Sequence, residues 1–433
     1  MTGELESTDI ATQLARRRAA AAAAWELRDE LVLIGAGDPI HIPGRADLTY
    51  PFVAHSEYYW LTDRNLPGGV LAFDPGEGWS HFSAPVTEVD RLWSGAVAGE
   101  PDGPTSDELP AWLDSGDRAT RAVWLGSPPA GAPAPGALTE RLRLQLSAVR
   151  RPKDAVELER MRVAQQATKH AFATASALIA DGLTERQLQI EFEAAAFRHG
   201  GTAMGYDTIV GSGPNAAVLH FMPTGRVMRR GELVLIDAGA EQLGYVSDIT
   251  RTFCVGGVFD ETQQELHAVV HAAQRAAIDR VTPGVEWRDV HRTAALAIAD
   301  GLSAAGILRG RPESLVESGA VGLFFPHGIG HLVGLGVRDA GEPLYERRDE
   351  PRPYPNLRVD LPLEPGMVVT VEPGVYFVPA LLQDPERRAR HRAEVDWPRV
   401  DRMLGFGGIR IEDNLLVTAG GHEIITADVP LLG

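Results

Sequence analysis

The chain has 433 residues, 44% hydrophobic and 23% charged, with 41 Lys and Arg against 59 Asp and Glu, a net charge of −18. This length favours two domains over one, and an acidic surface repels a phosphate backbone, which argues against nucleic acid as the main partner. The single cysteine, Cys254, excludes an internal disulfide and fits a reducing compartment, the cytoplasm, and no apolar run approaches the length of a membrane span.

Near the start, Arg16-Arg17-Arg18 precede the alanines 19–24. The run lacks the Leu/Val-rich centre of a signal sequence and ends at Trp25-Glu26, so it reads as an exposed helix. Short apolar runs then alternate with turn signals: LVLIGAGD, YYWLTDRNLPGGVLAFDPGEG and RAVWLGS. These are expected strands of a mixed sheet. The Pro- and Gly-rich SPPAGAPAPGA, 127–137, is a surface loop inside this region. A helix over 138–149 follows, and the domain junction falls at Arg150–Arg151, giving domains 1–150 and 151–433.

Beyond the junction, Thr184 to Gln187 and Asp260 to Gln263 are capping boxes that open helices. Strand signals follow in ELVLIDAGAE, YVSDITRTFCV, MVVTVEPG and GGIRIEDNLLVT. Helices followed by strands, without strict alternation, favour an α+β domain.

Two of those runs flank a turn at 242–244. A hairpin centred between Gln242 and Leu243 sets Asp237 opposite Asp248, roughly 5 Å apart at Cβ. Two buried like charges destabilise a sheet unless a cation lies between them. Glu372 ends another apolar run, and Glu412 lies in an alternating strand whose face it shares with Arg410. Singly, each is ordinary: a turn former, a surface ion pair. Four acids in four apolar strands point to a carboxylate cage around hard divalent cations.

The segment FFPHGIGHLVGLGVRDAG, 324–341, sets His327 and His331 four apart among five glycines. It misses the GxGxxG spacing of a dinucleotide loop, and the glycines rule out a helical HExxH site. A single histidine here is either a hydrogen-bonded structural group or a ligand. Glycines admit close backbone approach, which a crowded site needs.

Taken in order, Asp237, Asp248, His331 in PHGIGH, Glu372 in VEPG and Glu412 in GIRIED resemble the five-ligand pattern of the pita-bread metallopeptidases, over roughly 151–432. That family includes methionine aminopeptidases, aminopeptidase P and prolidases. The stretch between Glu372 and Glu412 is similar to bacterial prolidases, and TYPFVAHSEYYWLTDRNLPGGVLAF resembles the N-terminal domain of Xaa-Pro peptidases.

The resemblance implies a pita-bread catalytic domain after a smaller mixed α/β domain. It implies that Asp237 chelates one metal, that Asp248 and Glu412 bridge two, and that His331 and Glu372 bind the second. His220 matches a histidine that steadies the substrate, and His327 one that contacts the scissile amide. On the substrate side, Arg358 matches an arginine that holds a dipeptide carboxylate, and Arg410 one that steadies the ligands. The implied reaction is Xaa-Pro dipeptide hydrolysis by a metal-bridging hydroxide, with Glu372 passing the proton to the proline nitrogen. Manganese suits oxygen-rich ligation, with cobalt or zinc as alternatives.

One position departs from the family: Arg338 stands where a histidine is usual, in GxxVHD. Arginine is no proton carrier but binds carboxylates bidentately, so it is expected to anchor a dipeptide's C-terminus. Asp47 is expected to bind the substrate's α-ammonium in trans, in a homodimer. The alternatives are an aminopeptidase P acting on longer peptides, a non-catalytic pita-bread binding protein, and phosphotriester hydrolysis as a side activity.

Overall fold

The computed structural model describes residues 3–45, 48–94, 103–341, 354 and 356–429. Asp47 lies outside the described residues. The chain divides into two compact units, Met1–Arg150 and Arg151–Gly433.

The first unit runs α1 (Gly3–Trp25), β1 (Leu31–Ala36), α2 (Ser56–Thr62), β2 (Val70–Asp74), β3 (Gly78–Phe82), α3 (Glu88–Ser94), α4 (Leu109–Asp114), α5 (Arg118–Arg121), β4 (Ala122–Ser127) and α6 (Ala137–Arg150). The sheet order is β3-β2-β1-β4, with β1 antiparallel to β2 and parallel to β4, hence mixed. Its central strand, LVLIGA, is buried at every position. The alanine-rich segment is helical and, as expected, exposed on much of its surface, with Ala19, Ala20 and Ala23 open to solvent, but one face is buried. Gln13, Arg17, Ala21 and Trp25, at four-residue spacing, form a buried stripe. Arg17 donates to Trp60 O at 3.0 Å and lies over the Trp60 ring. Of the alanines 19–24 only Ala21 lies fully within that stripe.

The second unit opens with the helix pair α7 (Ala155–Leu178) and α8 (Glu185–Arg198). Strands β5 (Ala203–Met204), β6 (Ile209–Ser212), β7 (Leu233–Ala238), β8 (Ala240–Gln242), β9 (Tyr245–Val246) and β10 (Ile249–Cys254) follow. The pattern then repeats: α9 (Glu261–Arg280), α10 (Trp287–Ala304) and α11 (Pro312–Ser318) precede β11 (Val368–Val371) and β12 (Gly374–Tyr376). Short helices α12 (Pro379–Leu382), α13 (Pro385–Arg390) and α14 (Trp397–Arg402) lead to β13 (Gly408–Arg410), β14 (Asp413–Thr418) and β15 (Gly421–Ile424). The architecture is α+β.

Both expected capping boxes are present at α8 and α9, and a third, Asp154 with Glu157, opens α7. The apolar faces of α7 and α8 cover β6, β7 and β10, with Phe172 and Phe192 edge-to-face at 5.0 Å between the helices. Helices α9 and α10 similarly cover β11 and β14. Sheets β10-β7-β6 and β11-β14-β15 are antiparallel and are joined by a bridge between Thr250 and Glu412.

The hairpin register differs from the expected one. Asp237 pairs with Thr250, not Asp248, because the turn is centred between Leu243 and Gly244. Both residues take positive φ, 49° and 86°, the signature of a type I′ turn. The shift moves the partner by two residues, and a two-residue shift keeps the face. Glu412 also differs: it sits in the break between β13 and β14, not inside a continuous strand.

Candidate metal centre

Asp237 emerges from the all-apolar β7 segment Leu233–Ile236, and Asp248 immediately precedes β10. Both are buried. The Tyr206 hydroxyl lies between them, 2.7 Å from Asp237 Oδ1 and 2.6 Å from Asp248 Oδ1. Across the bridge between sheets, Thr250 Oγ1 donates to Glu412 Oε2 at 2.6 Å. Asp248 is held from behind by Asn414, whose Oδ1 accepts from the Asp248 N–H at 3.0 Å.

His331 reaches this group from the glycine-rich loop. At Gly330 a Cβ would come within 2.1 Å of Thr370 O, so only glycine lets the loop lie against β11. The His331 N–H donates to Thr370 Oγ1 at 3.1 Å, and Nδ1 donates to Leu332 O at 3.1 Å. That contact leaves Nε2 as the ligating atom, 3.4 Å from Asp248 Oδ2 and 3.9 Å from Glu372 Oε1. Among the described residues, Asp248, His331 and Glu412 bring donor atoms within 4.8 Å of one another.

The electrostatics is that of buried carboxylates that repel one another, only partly offset by Arg410. Burial, then Asp248 and Glu372, push the Glu412 carboxyl well above its ordinary range. Burial raises Asp237 despite Arg410 and lifts Glu372 to about 7 despite His331. For His331, burial pulls downward, but the hydrogen bond and charge of Asp248 outweigh it and the pKa rises. Repelling carboxylates with one imidazole in a buried cluster fit a divalent cation, which reverses each of those penalties.

Arg410 is buried, and its guanidinium is shared among three partners. Nη2 bonds Asp237 Oδ2, Nη1 donates to Tyr376 Oη at 2.8 Å, and Nε donates to Thr250 Oγ1 at 3.1 Å. His327 donates from Nδ1 to Gly328 O at 2.8 Å and accepts at Nε2 from Tyr376 Oη at 3.0 Å. Burial, then Arg410, push its pKa down to about 3, so the ring is neutral. His327 Nδ1 is 3.7 Å from Glu372 Oε2.

A recess of about 260 Å³ gathers His220, His327, His331, Arg338, Arg358, Glu372 and Arg410 along its wall. An adjoining recess of about 420 Å³ is lined by Tyr206, Asp248, Met222 and Glu412, and shares His220, Asp237, His331, Arg338 and Glu372. The side chains of His220, Arg338 and Arg358 are exposed there. Sequence reasoning missed Tyr206, Thr250, Tyr376 and Asn414. Of these only Asn414, two residues after Glu412, had a local signal.

Residues 159–419 match the sequence model of metallopeptidase family M24. The Xaa-Pro dipeptidase of Homo sapiens is 36% identical over 285 residues, covering 63% of this chain and 57% of that protein. The chain thus spans little more than half of this relative's length. A Botryotinia fuckeliana protein named a probable Xaa-Pro aminopeptidase is 30% identical over 399 residues, covering 88% of this chain and 86% of its own. The structure of Pseudomonas aeruginosa aminopeptidase PepP superposes with a TM-score of 0.77 at 28% identity, over 97% of this chain and 95% of that one.

Proposed function

We propose a dipeptidase: the chain belongs to metallopeptidase family M24, with that family's pita-bread fold in its C-terminal unit, and its cleft suits an Xaa-Pro dipeptide. The observation that carries this reading is Arg338. It is exposed on the wall of the recess that holds Glu372 and His331, with Arg358 on the same wall. Among the described residues Arg338 makes no ion pair. The neighbouring Asp339 is bound by Lys153 Nζ at 2.8 Å. Two guanidinium groups beside a metal centre suit a free carboxylate, which a dipeptide presents next to its scissile bond and a longer peptide does not.

Asp237, Asp248, His331, Glu372 and Glu412 would hold two divalent ions, manganese by the chemistry of the donors. Such ions supply Lewis acidity and let water act as a nucleophile near neutral pH. The chain's own residues do the rest. Glu372 borders both His331 and His327 and is the carboxylate suited to take a proton from water and return it to the proline nitrogen. An amide nitrogen is too basic to leave as an anion, so the proline nitrogen must take that proton as the C–N bond breaks. His327, a neutral ring whose one N–H is held by Gly328 O, lies beside Glu372 on the recess wall and is suited to pack against the scissile amide. Arg410 holds Asp237 in register through the bonds described above, and His220, which lines both recesses, is suited to steady the substrate.

The proposal extends to a homodimer in the cytoplasm, with Asp47 of the partner subunit binding the substrate's α-ammonium. No helix of the described residues is long and apolar enough to cross a membrane. Exchange of Arg338 for histidine tests the reading. It should raise the KM for Xaa-Pro dipeptides at unchanged metal content, and an unchanged KM would contradict it.

A further inference from the structure

Glu185 is the first residue of α8, directly after the capping Thr184. That position usually faces water, yet the Glu185 side chain is 0% exposed. A buried carboxylate is costly unless hydrogen bonds replace its hydration. Here Oε1 accepts from Ser212 N–H at 2.9 Å, Ser212 Oγ at 2.9 Å and Asn215 Nδ2 at 2.8 Å. Oε2 accepts from Thr224 N–H at 3.3 Å and Thr224 Oγ1 at 2.9 Å.

Those donors come from the two ends of one loop. Ser212 ends β6, a 3-10 turn over Gly213–Ala217 follows, and Thr224 closes the segment. Gly213 has φ +51°, a left-handed conformation that glycine adopts without strain at the loop's entry. The Arg186 N–H donates to Thr224 O at 2.9 Å and the Glu185 N–H to Arg226 O at 3.1 Å, tying the loop's exit to the same helix end. Between the two ends the chain sends His220 and Met222 to the recess wall. Among the described residues His220 makes no hydrogen bond or ion pair. Its location in the recesses shared with Asp237, His331 and Glu372 therefore depends on the backbone that carries it.

We infer that Glu185 is a positioning residue: its carboxylate clips the two ends of the 212–224 loop together and so holds His220 over the cleft. This rests on the reading of His220 as a substrate-facing group. Glu185 touches neither substrate nor ligand, and acts through the loop alone.

Glu185→Gln, assayed as the Mn²⁺-loaded full-length protein, tests it. Its amide NH₂ confronts donors that the carboxylate accepts. Expected are a kcat/KM for an Xaa-Pro dipeptide lower by on the order of 10- to 100-fold, and a metal content and circular dichroism spectrum like the parent's. In a cycle with His220→Ala, the double variant should be no worse than His220→Ala alone. Thr224→Val removes a single hydroxyl donor and keeps the test open if Glu185→Gln fails to fold. It should give a smaller loss, again not adding to that of His220→Ala. Additive losses in either cycle, or full activity of Glu185→Gln beside a damaging His220→Ala, overturn the positioning role alone. A silent His220→Ala overturns the reading of His220 and the inference together.

Discussion

Lys153 Nζ lies 2.8 Å from Asp339 Oδ2, and both side chains are shut off from solvent. Asp339 Oδ2 also accepts from the Leu335 N–H at 3.1 Å. The pair thus fastens the turn bearing Arg338 to the chain just ahead of α7. A buried ion pair broken on one side leaves an uncompensated charge. Lys153→Met should therefore cost about 3–5 kcal/mol in urea unfolding, while Lys153→Met with Asp339→Asn should recover most of it. A loss below about 1 kcal/mol for the single variant would show that the pair is better hydrated than its burial implies.

Tyr206 reaches both Asp237 and Asp248 through one hydroxyl. Groups that orient metal ligands typically contribute about 10- to 100-fold in metal affinity. Tyr206→Phe is expected to weaken Mn²⁺ binding by that factor in titration calorimetry, with thermal stability of the metal-free protein little changed. Equal affinity in the two proteins would remove Tyr206 from the site.

The helix starts make a prediction independent of the chemistry. Thr184 and Asp260 each accept from the N–H three residues on, within a full capping box. Alanine at either position should lower stability by about 1 kcal/mol. Urea midpoints shifted at constant m-value would show this, and no shift would mean the boxes are redundant with the packing of α8 and α9.

Two buried histidines predict acid sensitivity. Burial pushes His267 and His291 down to about 4, from an ordinary value of 6.5. Each is held neutral in the folded chain and prefers the proton when unfolded. Their stabilising contribution is complete above pH 6.5 and falls away as the pH drops towards 4, by up to about 1.4 kcal/mol per pH unit for each group. Unfolding free energies between pH 8 and 4.5 should follow that course, and His291→Phe should flatten it. A slope unchanged by that substitution would assign the acid sensitivity to other groups.

Much of the catalytic unit could be read from the chain. Asp237, Glu372 and Glu412 each interrupt or end an apolar run, a cost that only a shared purpose offsets, and two of the capping boxes mark their helices unambiguously. The hairpin register could not be read, because Leu243 adopts a positive φ that its side chain disfavours; the pattern alone centred the turn a residue early. Tyr206 was invisible because no local pattern distinguishes an aromatic that hydrogen-bonds two carboxylates from one that fills a core. The buried stripe of the otherwise exposed α1 was not legible because two of its four members, Gln13 and Arg17, are polar. Glu185 carried no signal of its own within the Thr184 to Gln187 capping box, because burial at a helix's first position is set by the loop packed on it.

The most direct measurement compares an Xaa-Pro dipeptide with the matching Xaa-Pro-Yaa tripeptide, using chelated protein before and after Mn²⁺ is restored. The account predicts no turnover of either without metal, and restored activity at least about tenfold higher in kcat/KM for the dipeptide, the equivalent of one lost carboxylate contact of about 1.4 kcal/mol. Faster cleavage of the tripeptide would contradict the carboxylate-binding role of Arg338 and make the protein an aminopeptidase.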